Sequence, residues 1–459
     1  MTPAGADAAR FAADLIRIDT TNRGGGDARE RPAAEYVAAR LAEAGLEPVL
    51  LESAPGRANV VARISGAGAA GGAPAGAQQE GAQQEGAQQE GALLLHGHLD
   101  VVPADPAAWS VHPFSGEIRD GVLWGRGAVD MKNADAVLIA LAADWARSGR
   151  RPRRDIVLAF TADEEDTAEF GARWLVERHA ELFEGCTEAI GESGAFTFHA
   201  GPGQRLYPIA SAERGTAWLK LTARGRAGHG SKPNEANAVT RLAGAMARIG
   251  AYRWPVRLIP TVRAAVEAIA AAAGTRLPDG ALDGGLAAEE LLALLGPAGA
   301  LVAGTVRNSA NPTMLAAGYK INVIPGEAVG YVDGRVLPGW AGEFRASMDE
   351  LTGPDVSWEY AHEEIPLEAP ADAPVMDRMA RALLAEDPGS VIVPYCMSGG
   401  TDAKQFSRLG MTCYGFTPLV LPEGYDYYAM FHGTDERIPL SALEASVRIM
   451  DRFLAAGDE

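Results

Sequence analysis

An apolar run, Leu93-Leu94-Leu95, leads without a turn signal into His96-Gly97-His98-Leu99-Asp100. Core strands seldom end on an imidazole and a carboxylate two positions apart, because buried polar groups cost free energy unless they are paired. On extended backbone two such residues point to the same side. The carboxylate of Asp100 can then accept the second ring N–H of His98, fix its tautomer and leave the other nitrogen free for a metal.

Around this strand, short apolar segments alternate with amphipathic ones. Strands are expected at Val49 to Leu51, Ala58 to Ile64, Ala92 to Leu95 and Asp155 to Phe160, with helices at Ala8 to Asp19 and Ala134 to Ser148. That alternation predicts an α/β fold, a mixed sheet with helices on both faces, whose ligand sites gather at the carboxyl ends of the strands. From Ala217 the pattern changes to strand Ala217 to Ala223, helix Asn237 to Ile249, strands Tyr319 to Val323 and Ala328 to Val332, helix Gly342 to Leu351 and strand Val356 to Ala361. This β-α-β-β-α-β order predicts a small α+β domain inserted into the larger one. The expected boundaries are 1–212 with 365–459 for a discontinuous catalytic domain, and 213–364 for the inserted lid or dimerisation domain. Within the latter, 251–310 reads as an extra helical insertion. Helices at Pro374 to Ala385 and Leu440 to Ala455 would close the chain. Residues 66–91 hold Ala-Gln-Gln-Glu-Gly three times in tandem. A five-residue period suits neither helix nor strand, and the composition cannot bury a core, so a disordered loop is expected.

A chain of 459 residues exceeds what one core usually supports, which agrees with two domains. The net charge of −19 excludes a nucleic-acid partner, which would need a basic surface. Three cysteines, Cys186, Cys396 and Cys413, suit a reducing compartment better than a disulfide framework. The N-terminus lacks a basic region followed by an apolar run, and the longest apolar stretch, Leu291 to Gly304, is too short to span a bilayer. A soluble cytoplasmic protein with no membrane partner is expected.

Further acidic and histidine motifs follow His98 and Asp100: Asp130 in Trp124-Gly125-Arg126-Gly127-Ala128-Val129-Asp130-Met131-Lys132, the pair Glu164-Glu165 after a strand, Glu192 in Gly191-Glu192-Ser193, and His432 in Met430-Phe431-His432-Gly433. Singly each has a structural explanation: Asp130 could cap the helix after it, and Glu164-Glu165 could be a solvated helix start. Together they form a set of imidazole and carboxylate donors suited to zinc and similar metals. Five ligands exceed one tetrahedral ion and serve two if a carboxylate bridges. His96 reads as packing, and His112, His179, His199 and His362 as structural or surface residues.

These motifs, in this order, resemble the M20-type metallopeptidase family that includes aminoacylase, succinyl-diaminopimelate desuccinylase, acetylornithine deacetylase and bacterial glutamate carboxypeptidase. The resemblance implies that Asp130 bridges two metals, with His98 and Glu192 completing one site and Glu165 and His432 the other. Asp100 would orient His98, Glu164 would be the general base, and a cis peptide would follow Asp130. Two divalent cations roughly 3.5 to 4 Å apart, zinc first and cobalt or manganese as alternatives, would then activate water and polarise a carbonyl. In the inserted domain, His229 of Gly228-His229-Gly230 resembles the family's oxyanion-stabilising histidine, and Asn322 and Arg335 its substrate-binding positions. Gly399, Gly400 and Thr401 resemble a turn facing the substrate carboxylate. Local alternatives stay open: Arg335 could pair with Asp333, Asn322 could cap a strand end, and Thr401 could cap a helix. The implied activity is hydrolysis of an amide or peptide bond beside a free carboxylate, as a dipeptidase or carboxypeptidase. An N-acyl amino acid deacylase is the alternative. A non-catalytic scaffold would predict a broken ligand set, and here the set is intact. Substrates would be small peptides or N-acyl amino acids, and a homodimer is possible.

Overall fold

The computed structural model describes residues 1–67 and 90–455. The expected disordered repeat loop, apart from its ends, lies outside the described residues. The chain divides into two compact units, Met1–Ile209 with Asp372–Ile392 and Thr401–Glu459, and Ala210–Ala371 with Val393–Gly400.

In the first unit a mixed sheet runs in the order Val49–Ala54, Arg57–Ile64, Ile156–Thr161, Ala92–His98, Cys186–Gly191 and Thr412–Gly415. The first two strands form an antiparallel hairpin and Arg57–Ile64 meets Ile156–Thr161 antiparallel, whereas the remaining neighbours are parallel. Every residue of Ala92–His98 and of Ile156–Thr161 is buried. Successive side chains point to opposite faces, so both faces are covered. On one face His96 packs on Phe406, ring centroids 4.9 Å apart; on the other, Gly97 is approached so closely by Asp135 of helix Lys132–Ser148 that a Cβ there would lie 2.2 Å from its Oδ1. The α/β architecture read from the alternation of segments is the one observed.

The first helix spans Pro3–Arg17 rather than starting at Ala8. Thr2 caps it, its side chain accepting from Gly5 N at 3.1 Å, and Pro3 opens it, where a missing N–H costs nothing. Helix Leu440–Leu454 ends the described chain against Pro3–Arg17 and Pro374–Glu386. Among the described residues no helix is long and apolar enough to cross a membrane.

The second unit holds a four-stranded antiparallel sheet in the order Ser309–Ala317, Glu327–Val336, Gly215–Arg224, Val356–Glu364. Helices Ala238–Ala251, capped by Asn237, and Ala341–Thr352 close its core through Leu242, Met246, Phe344 and Met348. The order is the expected β-α-β-β-α-β, with helices Pro260–Ala272 and Ala288–Leu294 in the insertion. One strand is misplaced in the sequence reading: it is Ser309–Ala317, not Tyr319 to Val323. Gly318, at φ +71, ends it, and the apolar Tyr319 and Ile321 stand exposed in the connection beyond. From Asn311 to Ala317 the strand is exposed on both faces, so no burial pattern marked it.

Candidate metal centre

Three strands of the first unit deliver acidic or imidazole side chains at their carboxyl ends. His98 closes Ala92–His98, Glu164 and Glu165 follow Ile156–Thr161, and Glu192 follows Cys186–Gly191. Asp130 precedes helix Lys132–Ser148, and His432 comes from the segment after the helical turn Tyr428–Met430. The two carboxylate oxygens of Asp130 face two different imidazoles: Oδ1 lies 3.2 Å from His98 Nε2, and Oδ2 lies 3.4 Å from His432 Nε2. Beyond them, Glu192 Oε2 is 3.6 Å and Glu164 Oε2 3.9 Å from His98 Nε2, and Glu165 Oε2 is 3.1 Å from His432 Nε2. The Asp130–Met131 peptide is cis.

The donor set fits divalent cations. Two groups, His98 with Glu164 and Glu192, and His98 with Asp130 and Glu165, each place their ligand atoms within 4.8 Å of one another. Glu165 Oε1 is buried with no hydrogen-bond partner. Burial and then the charge of Asp130 push Glu165 up to about 7, and burial and then Glu192 push Glu164 well above the usual carboxylate range. Hydrogen bonds to Asp130 and Glu165 raise His432 to about 10. Acids crowded this way, facing ring nitrogens with nitrogen and oxygen donors only, form an arrangement that divalent cations stabilise.

Asp100 orients His98 differently from what its spacing implied: the main-chain carbonyl, not the carboxylate, meets the second ring nitrogen. His98 Nδ1 lies 3.0 Å from the main-chain carbonyl of Asp100 and 3.6 Å from its carboxylate. The carboxylate accepts from the N–H groups of Glu164, at 3.2 Å, and Glu165, at 3.1 Å. It ties the turn that carries the glutamate pair to the strand that carries His98.

Glu436 was missed by sequence reasoning. Fully buried, it pairs with Arg126 at 2.7 Å and accepts from the N–H groups of Gly127, Val129 and Asp130. One carboxylate thus holds the loop of Asp130 to the segment of His432. Its only sequence signal is its place four residues after His432, where a lone glutamate reads as solvated. Glu436→Gln leaves Arg126 buried without a counter-charge and sets an amide N–H₂ against two donors, since each oxygen of Glu436 accepts from two. The expected cost is about 3–5 kcal/mol in urea unfolding; a loss under about 1 kcal/mol, the worth of an exposed pair, would contradict this placement.

The other candidate residues divide between the units. In the second, Gly228–His229 pairs with Val323–Ile324, and Gly230 N donates to the carbonyl of Asn322 at 2.9 Å, so His229 and Asn322 share one two-stranded ribbon. His229 is exposed, and its Nδ1 accepts from Ser231 N at 3.2 Å, which leaves the proton of the neutral ring on Nε2. Arg335 forks onto Asp333, Nε to Oδ1 at 2.8 Å and Nη2 to Oδ2 at 3.2 Å, and donates from Nη1 to Thr216 Oγ1 at 3.2 Å. Gly399 and Gly400 belong to this unit, whereas Thr401 belongs to the first, where its Oγ1 accepts from Ala403 N at 3.1 Å. His96 is buried and pushed down to about 3 by that burial, a packing residue.

A family model described as Peptidase family M20/M25/M40 matches residues 94–456. The N-fatty-acyl-amino acid synthase/hydrolase PM20D1 of Xenopus tropicalis is 26% identical over 392 residues, 80% of this chain and 72% of that protein. Among solved structures, the M20 family metallo-carboxypeptidase Sso-CP2 from Sulfolobus solfataricus superposes with a TM-score of 0.68 at 16% identity, covering 98% of this chain and 99% of that one. Bacillus subtilis YXEP, described as a dinuclear metal binding peptidase, gives a TM-score of 0.59 at 12% identity, with 98% and 97% covered. The chain belongs to the M20/M25/M40 family of peptidases and is a hydrolase of peptide or amide bonds.

Proposed function

We propose that this hydrolase cleaves an amide or peptide bond next to a free carboxylate, using two divalent cations, zinc first and cobalt or manganese as alternatives. His98 and Glu192 would hold one, Glu165 and His432 the other, with Asp130 shared. The observation that carries the reading is the pair of Asp130 oxygens at 3.2 and 3.4 Å from two separate imidazoles. Cations bound there supply Lewis acidity, polarising the scissile carbonyl and acidifying water. Glu164, left over when five donors are assigned, takes the proton of the attacking water and passes it to the leaving amine. Asp100 fixes both the His98 ring and the Glu164 main chain. The Nε2–H of His229 donates to the oxygen on which charge develops, a contribution of about 3 kcal/mol. Asn322, Arg335 and the Gly399-Gly400-Thr401 turn hold the substrate, the guanidinium of Arg335 meeting its carboxylate.

Residues 1–212 with 365–459 act as the catalytic domain in this reading, and 213–364 as a lid or dimerisation domain. The edge strand Ser309–Ala317, with Met314 and Leu315 exposed, supports a homodimer. None of the three cysteines is in a disulfide, which suits a cytoplasmic, reducing setting. A second reading, N-acyl amino acid deacylase, is favoured by the 26% identity to PM20D1.

A panel of dipeptides and N-acyl amino acids with added Zn, Mn or Co decides between the two. Turnover is expected to vanish on chelation and to fall roughly 100-fold or more when the substrate carboxylate is amidated. Equal rates on free and amidated substrates would remove the carboxylate from the reading.

A further inference from the structure

The hydrogen bonds at Asp100 continue into a buried chain of charges. Asn22 Nδ2 donates to Asp100 Oδ2 at 2.9 Å and to Asp163 Oδ1 at 3.1 Å. Asp163 Oδ1 also accepts from Arg57 Nη2 at 2.7 Å. The same guanidinium forks onto Glu30, Nε to Oε2 at 2.7 Å and Nη2 to Oε1 at 2.9 Å, and lies 4.7 Å from the centroid of the Phe170 ring. All five residues of this chain are at most 4% exposed, and Arg57 heads the fully buried side chains by size.

Replacing such a buried ion cluster by apolar residues is often neutral or stabilising, so net stability does not account for it. Geometry does. Asp163 has φ +67, the left-handed region, which costs a non-glycine residue free energy unless its surroundings hold it. Its side chain is held at both ends: Oδ1 by Arg57 and Asn22, and Oδ2 by Thr167 Oγ1 at 3.3 Å and Phe170 N at 3.2 Å. The next two residues are Glu164 and Glu165, whose N–H groups point to Asp100.

We propose that Arg57 is the positioning residue of the Glu164–Glu165 turn, acting through Asp163 directly and through Asn22 on Asp100. The proposal rests on the roles given above to Glu164 and Glu165. Without the guanidinium, Glu30 and Asp163 lose their shared cation, and the turn no longer has a fixed anchor. A displacement of about 1 Å at a base can cost on the order of 100-fold in rate.

Three variants test this: Arg57→Met, Arg57→Lys, and the charge-neutral Glu30→Gln/Arg57→Met/Asp163→Asn. The neutral variant buries no unpaired charge and carries the test if Arg57→Met fails to fold. In it kcat is expected to fall about 10- to 100-fold with KM within about threefold, while the unfolding midpoint stays near the parent's. Calorimetric titration of metal-stripped protein with zinc should show one of two ions bound about tenfold more weakly, the other unchanged. Arg57→Lys, which keeps the charge and loses the fork, should recover part of both. A neutral variant with kcat and both zinc affinities within about twofold of the parent would overturn the positioning role and leave the metal centre standing. A parent that binds no zinc would instead remove the metal centre, and this proposal with it.

Discussion

Glutamine in place of Glu164 is expected to cut kcat by about 10²- to 10⁴-fold while two cations stay bound per chain. The substitution keeps volume and one carbonyl oxygen and removes the negative charge and the capacity to take a proton. It also separates two arrangements of the same donors. Glu164 Oε2 lies 3.9 Å from His98 Nε2, and Glu164 forms with His98 and Glu192 one of the two groups that could hold an ion. Were Glu164 a ligand rather than the base, Glu164→Gln would weaken metal binding together with turnover. The base role predicts that metal content measured by mass spectrometry is unchanged and that pre-steady-state and steady-state rates fall alike.

Asp130→Ala is the second large effect: both cations should be lost and turnover should drop to background. Each oxygen of Asp130 serves a different imidazole, so one truncation empties both positions. Removing an outer partner of a metal ligand typically costs 10- to 100-fold in affinity; losing a shared ligand should exceed about 100-fold for each ion. His432→Ala provides the contrast. It removes a donor facing Glu165 and one oxygen of Asp130, and should weaken one ion while the His98 side persists. Equal weakening of both ions in His432→Ala, or of only one in Asp130→Ala, would contradict the shared position of Asp130.

Much of this centre was legible in the sequence because His98, Glu164 and Glu165 sit at the ends of apolar strands. Leu93 to Leu95 and Ile156 to Phe160 advertise buried parallel strands, and the polar residues right after them had to lie at the carboxyl edge of the sheet. What escaped notice lacks local periodicity. Glu436, Asn22, Arg57 and Asp163 act through partners as many as 310 positions away, and each by itself reads as a solvated polar side chain. The edge strand Ser309–Ala317 escaped for the opposite reason, since exposure on both faces erased the alternation that marks a strand. For Arg335 the sequence left two roles open, and its fork onto Asp333 is the pairing that two-residue spacing allowed.

The most direct measurement is an anomalous diffraction map from crystals grown with zinc. Two peaks are predicted, each about 2.0–2.2 Å from a different oxygen of Asp130, one beside His98 and Glu192 and the other beside Glu165 and His432. A single peak held by His98, Glu164 and Glu192 with Asp130 uninvolved, or no peak at all, would contradict the account.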